Sequence, residues 1–305
     1  MPAGDLRATL LRLTGAGRSR ANPVEAKVQS VEARENYGLE RLVISPGFTG
    51  AEPIPALFTH PLDGGPWPAV LYCHAHGGRY PLGKSELIDG RPSLQNPPYA
   101  QMLAENGIAA LCLDMPCFEN RQQPGESHRA KELLWQGKTL FGLMLDELAA
   151  GIDYLQSRED VPSDRIATAG LSMGCTHAWW LAALDDRVRA VASLCCLADI
   201  RTLVEAGTHD NHALYMVVPG LVDACDTGDV AALIAPRPHL SCVGMKDELT
   251  PPAAVEKVDK TLRAAYAAAG APENWTLVVE PDSGHAETPL MRQRVTDFLV
   301  TQLRV

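Results

Sequence analysis

Ser172 stands at the centre of Gly170-Leu171-Ser172-Met173-Gly174, and a serine so placed is a candidate nucleophile. Glycines two before and two after it allow a tight strand-to-helix turn that pushes the hydroxyl outward. The N-terminus of a following helix favours negative charge developing beside it. A hydroxyl at neutral pH needs a base, and the base needs a carboxylate to hold its tautomer. Asp247, in Gly244-Met245-Lys246-Asp247-Glu248, follows a late apolar run. His285, in Asp282-Ser283-Gly284-His285, is the one histidine of nine between the last apolar run and the last helical pattern. Glu248 and Asp282 are alternative orienting carboxylates, and loop position favours Asp247. Attack on a carbonyl builds charge on its oxygen, so two backbone N–H donors are also required. The amide of Met173 is one. The other is sought in His74-Ala75-His76-Gly77-Gly78, where His76 would serve through its amide and not its ring.

These positions need a scaffold that brings distant loops to one edge. Residues 70–73, 108–113, 166–169, 191–194, 240–243 and 276–279 are short runs, apolar on both faces, as buried parallel strands are. Helical spacing lies between them: Phe141, Leu145, Leu148, Ile152 and Leu155, then Val255, Val258, Leu262 and Tyr266, and finally Val295, Phe298 and Leu299. Such alternation predicts an α/β fold, a doubly wound and mostly parallel sheet with helices on both faces. Residues 25–65 read as extended segments around 28–33, 40–44 and 55–58, an antiparallel lead-in to the same sheet. No repeat or Pro/Ser-rich linker divides the chain, so residues 1–305 are expected to form a single domain. Two connections are long, 77–98 and 196–236, and the second is expected to form a wall or small lid. Within it Tyr215, Met216 and Leu221 are candidate apolar contacts, with core packing the favoured role. Trp179 and Trp180 follow the serine turn, and at most one is expected to face the interior.

Composition removes several function classes. Net charge is −10, with 27 basic against 37 acidic residues, and no basic run interleaves with aromatics. Nucleic-acid binding and docking on anionic lipid are therefore not expected. Residues 1–20 hold no apolar stretch long enough for a signal peptide, and no run is long enough to span a membrane. Eight scattered cysteines without a CxxC pair suit a reduced cytoplasmic chain, without structural zinc. His74 and His76 lack a third ligand nearby, and His209 and His212 read as a pocket wall or solvated loop. No metal or organic cofactor is expected, and a homo-oligomer is left open.

Together, the serine turn, residues 74–78, Asp247 and His285 resemble the α/β-hydrolase superfamily, from about residue 25 to the C-terminus. Ser163-Asp164-Arg165-Ile166, Val218-Pro219-Gly220 and Ala232-Leu233-Ile234-Ala235-Pro236-Arg237-Pro238 are similar to dienelactone-hydrolase-like and acetyl-xylan-esterase-like carboxylesterases. They are also similar to the catalytic domain of prolyl-oligopeptidase-like enzymes. The resemblance implies a serine carboxylesterase acting on a small-molecule ester, with Ser172, Asp247 and His285 as triad and His76 and Met173 as oxyanion donors. It departs at Ala75, Cys117 and Glu119, where relatives often carry glycine, and at Ser172, where dienelactone hydrolases proper use cysteine. Amide, lactone or thioester hydrolysis by the same triad is the alternative, and a non-catalytic binding protein is a further one.

Overall fold

A computed structural model describes residues 2–17 and 19–304. Its strands are β1 Glu25–Ala33, β2 Gly38–Ser45, β3 Ile54–His60, β4 Ala69–Cys73, β5 Ala109–Leu113, β6 Ile166–Leu171, β7 Ala190–Leu194, β8 His239–Gly244 and β9 Trp275–Glu280. Helix α1, Ala3–Thr14, precedes them, while α2, Glu86–Asp89, and α3, Tyr99–Glu105, join β4 to β5. Helices α4, Glu126–Trp135, and α5, Leu140–Ser157, lead into β6, and α6, Met173–Leu184, leaves it. Between β7 and β8 lie α7, Ile200–Ala206, α8, Leu221–Ala224, and α9, Thr227–Ala232. Helix α10, Pro252–Ala268, joins β8 to β9, and α11, Pro289–Leu303, follows β9.

The strands form one sheet in the order β1-β2-β3-β5-β4-β6-β7-β8-β9. The first three pair antiparallel, and β3 meets β5 antiparallel. All pairings from β5 through β9 are parallel. The expected lead-in and parallel sheet are therefore both present. Every residue of β4 to β8 is buried, which explains their unbroken apolar runs. The outer strand β1 is mostly exposed and carries Glu25, Lys27 and Glu32, charges that discourage pairing with another chain.

Two apolar layers flank the sheet. On one face Tyr99, Leu103, Val295 and Leu299 of α3 and α11 pack together. On the other, Phe141, Leu145 and Ile152 of α5 meet α6, together with Leu6 and Leu10 of α1. Helix α1 was not anticipated from its Arg-dotted sequence; Arg7 anchors it by donating to the Ala183 carbonyl and to Asp186. The tryptophan expectation is corrected: Trp179 and Trp180 are both buried. The helix carrying them is enclosed on every side, so both rings pack, Trp179 Nε1 donating to Cys196 O and Trp180 meeting Phe141 edge-on. No described helix is long and apolar enough to cross a membrane.

Candidate active site

Parallel strands direct their following loops to one edge of the sheet, and the residues singled out above follow β4, β6, β8 and β9 there. Ser172 has φ 60° and ψ −118°, a conformation rarely tolerated by a side-chain-bearing residue. Its amide donates to Leu194 O at 2.9 Å, which fixes the turn against β7. The flanking glycines are required by close approach: a Cβ on Gly174 would lie 1.9 Å from Cys73 O, and one on Gly170 2.4 Å from the same oxygen. Backbone cannot yield there, so the elbow is wedged against the end of β4. Met173 opens α6, and an amide in the first helical turn has no acceptor within its own helix.

His285 and Asp247 come together. The ring donates from Nδ1 to Asp247 Oδ2 at 2.7 Å, so the neutral ring presents Nε2 as its proton-accepting nitrogen. The same Oδ2 accepts from Thr250 Oγ1 at 2.7 Å, and Oδ1 accepts from the Leu249 amide at 2.9 Å. Burial pushes the Asp247 carboxyl up, but the His285, Thr250 and Leu249 hydrogen bonds and the nearby ring outweigh it and hold the group below its ordinary range. The two other carboxylates sit elsewhere: Glu248 is exposed, and Asp282 pairs with Lys246 at the surface. The two loops are pinned together by the Met245 amide on Glu280 O and the Lys246 amide on Ser283 O.

No hydrogen bond joins Ser172 Oγ to His285 among the described residues; such bonds often tighten only when substrate arrives. The chain of contacts between them is short. Ser172 bonds to Leu194, and the next residue, Cys195, places its thiol 3.8 Å from the carbonyl of Ala286, beside the histidine.

The loop after β4 holds more than its sequence announces. His76 Nδ1 accepts from the Gly78 amide at 3.0 Å, so Nε2 carries the proton, and it donates to Glu126 Oε2 at 2.7 Å. That carboxylate also accepts from Tyr80 Oη and from the Tyr215 amide, both at 2.7 Å. Burial pushes the Glu126 carboxyl up, while its bonds from His76, Tyr80 and Tyr215 outweigh that and lower it. The ring, which sequence gave no reason to involve, is thus a tether between this loop, the start of α4 and the 196–236 connection. Glu126 itself was missed. An acid at a helix start normally reads as a dipole partner, and nothing local signals a bond fifty positions away. A second tether holds Ala75: its amide meets the buried Glu86 carboxylate at 3.1 Å, and its carbonyl accepts from Arg91 at 2.8 Å. A third steadies the histidine loop, where buried Glu287 accepts from Arg292, Tyr99 and the Gln95 amide.

The remaining histidine pairs have separate partners. His74 accepts the Met115 amide at Nε2 and donates to Ala75 O, and burial lowers its pKa to about 3. His212 donates to Leu249 O at 2.9 Å. Of the wall residues, Tyr215 is buried against the rings of His76, Phe141 and His177, whereas Met216 and Leu221 line a hollow.

A serine on a strained turn between strand and helix, with an acid–histidine pair after later strands of a mostly parallel sheet, defines the α/β-hydrolase fold. The chain matches the model of the Dienelactone hydrolase family over residues 55–218. It is 41% identical over 294 residues to the protein named "Putative hydrolase YtaP" of Bacillus subtilis (strain 168), covering 96% of this chain and 97% of that one. It belongs to the dienelactone hydrolase family. Solved structures share the fold: the glucuronoyl esterase from Solibacter usitatus has a TM-score of 0.73 at 15% identity, covering 98% of this chain and 91% of that one. The acetyl xylan esterase from Paenibacillus sp. R4 has 0.67 at 19% identity, covering 99% and 92%.

Proposed function

We propose that this protein is a serine carboxylesterase that cleaves small carboxylic esters through an acyl-enzyme. The carrying observation is the 2.7 Å bond from His285 Nδ1 to buried Asp247, at the same sheet edge as the strained Ser172 turn. His285 Nε2 takes the Ser172 proton as Oγ attacks the ester carbon, forming the C–O bond. The His76 and Met173 amides receive the oxyanion. Collapse breaks the bond to the alcohol oxygen, and His285 returns the proton to it. Water then attacks the acyl carbon with His285 as base, releasing the acid and regenerating the serine hydroxyl. None of these steps draws on a metal or organic cofactor.

Lactones present the same bond closed in a ring, and family membership makes them the second substrate class to assay. Eight unpaired cysteines, all buried, support a reducing, cytoplasmic setting. The test is Ser172→Ala: a folded protein that has lost p-nitrophenyl acetate hydrolysis by several orders of magnitude is expected. Retained turnover, or failure of the wild type to react with a fluorophosphonate, would sink the nucleophile assignment.

A further inference from the structure

Resting on the esterase reading above, we infer that an apolar hollow in the 196–236 connection receives an apolar part of the ester. The substrates are then esters carrying an alkyl or aryl group of several carbons, beyond what an acetyl ester offers. The hollow has a volume of about 250 Å³ and is walled by Ile200, Leu203, Met216 and Leu221. It has room for about eight groups the size of a water molecule or methylene. At its mouth Val204 and Val217 remain 51% and 46% exposed, so its apolar lining continues to the surface. Recognising a sugar takes placed donors and acceptors. Only His209 and His212 offer ring nitrogens here, and His212 Nε2 is already committed to Leu249 O.

The lining of the hollow is linked to the catalytic loops through hydrogen-bonded neighbours. A second space of about 20 Å³ shares Ile200, Leu203, His212, Met216 and Leu221 with it and is also lined by Thr176. Thr176 sits one turn beyond the nucleophile, its amide donating to Ser172 O at 3.0 Å. His212, another lining residue, holds the carbonyl of Leu249, whose amide holds Asp247. The lining of this second space thus includes one residue bonded to the nucleophile turn and one bonded to the acid loop. Met216 borders both spaces, and an unbranched thioether changes rotamer more readily than a branched side chain. Its movement would join them into one slot.

The experiment compares kcat/KM across p-nitrophenyl acetate, butyrate and hexanoate for the acyl side, and methyl, butyl and hexyl acetate for the alcohol side. Full burial would raise kcat/KM about fourfold per methylene, and a gain of at least tenfold from the shortest to the longest member is expected in one series. Val217→Trp, which obstructs the mouth, lowers the long-to-short ratio at least fivefold, and Met216→Ala raises it; thermal melting confirms that both fold. Flat profiles in both series, unaltered by either variant, overturn the pocket and leave the esterase reading standing. Failure to cleave any ester overturns that reading instead. Calorimetric titration of Ser172→Ala with hexanol against ethanol then reports on the hollow alone. Tighter hexanol binding that Val217→Trp weakens supports the pocket, and equal affinities overturn it.

Discussion

Replacing Glu126 by glutamine keeps shape and removes one acceptor from a buried site that needs two. The carboxylate accepts hydrogen bonds from His76 and Tyr80 on one oxygen and from the Tyr215 amide on the other. A glutamine oxygen turned toward His76 and Tyr80 aims its NH₂ at the Tyr215 N–H. Turned the other way, the NH₂ faces His76 Nε2–H, and the ring cannot switch tautomer because Nδ1 is taken by the Gly78 amide. Either orientation sets donor against donor. One unsatisfied buried donor, plus the weakening of charge-assisted bonds, costs about 2–4 kcal/mol. At about 2 °C per kcal/mol for a large domain, melting should fall by about 4–8 °C. Where the loop moves to relieve the conflict, the His76 amide leaves the oxyanion position. Loss of one such donor costs about 10²-fold or more, so partial displacement should lower kcat about 10- to 100-fold. KM should change little, because that donor acts on charge present in the transition state. Steady-state kinetics on p-nitrophenyl acetate and scanning calorimetry read both quantities. A variant with kcat within twofold of wild type and an unchanged melting temperature refutes the coupling between this tether and the site.

Asp247→Asn should fold and lose about 10³- to 10⁴-fold in kcat, since an amide no longer selects the His285 tautomer; a loss under tenfold would make the acid dispensable. Gly174→Ala drives a methyl into backbone at 1.9 Å and should give insoluble or inactive protein, whereas Gly4→Ala in α1, with open space around it, should be neutral or stabilising by up to about 1 kcal/mol. His74, His177 and His239 are lowered to about 3 mainly by burial, while the unfolded chain protonates them near 6.5, so stability is complete above that value and drains as pH falls toward 3. The loss is about 2 kcal/mol per ring at pH 5, and His177→Phe, replacing a ring with no hydrogen-bond partner among the described residues, should flatten the melting-temperature profile between pH 7 and 5; parallel profiles would count against it.

The strands, and the serine turn, were legible because their signals are local. A run of four to six apolar residues buried on both faces needs no partner to be recognised, and glycines two either side of a serine describe one turn. Asp247 and His285 were legible for a related reason: in a parallel sheet, position after a late strand implies the carboxyl edge. What stayed hidden depends on meetings between distant segments. The burial of both Trp179 and Trp180 follows from the 196–236 connection closing over α6, which no helical period encodes. Helix α1 is short and Arg-dotted, and its docking rests on Asp186 far along the chain. The role of the His76 ring required Glu126 and Tyr215, neither of which announces itself.

The missed residues share one physical character. Glu86 with Arg91, Glu126 with His76, and Glu287 with Arg292 are buried charged or charge-assisted groups, each beside a loop at the carboxyl edge. Measured against an apolar replacement of equal volume, such pairs add little stability, because desolvation offsets their attraction. Their directionality is what apolar packing lacks. Glu86 aligns the Ala75 amide next to His76, Glu126 fixes the His76 ring, and Glu287 sets the loop two residues beyond His285. The strands beneath are packed with aliphatic side chains that define a core and leave loop orientation loose. A site whose donors must sit within tenths of an ångström of a developing charge needs a layer of oriented bonds above that core. Distributed over three loops, these carboxylates supply that layer, which is why their substitution should lower kcat as well as stability.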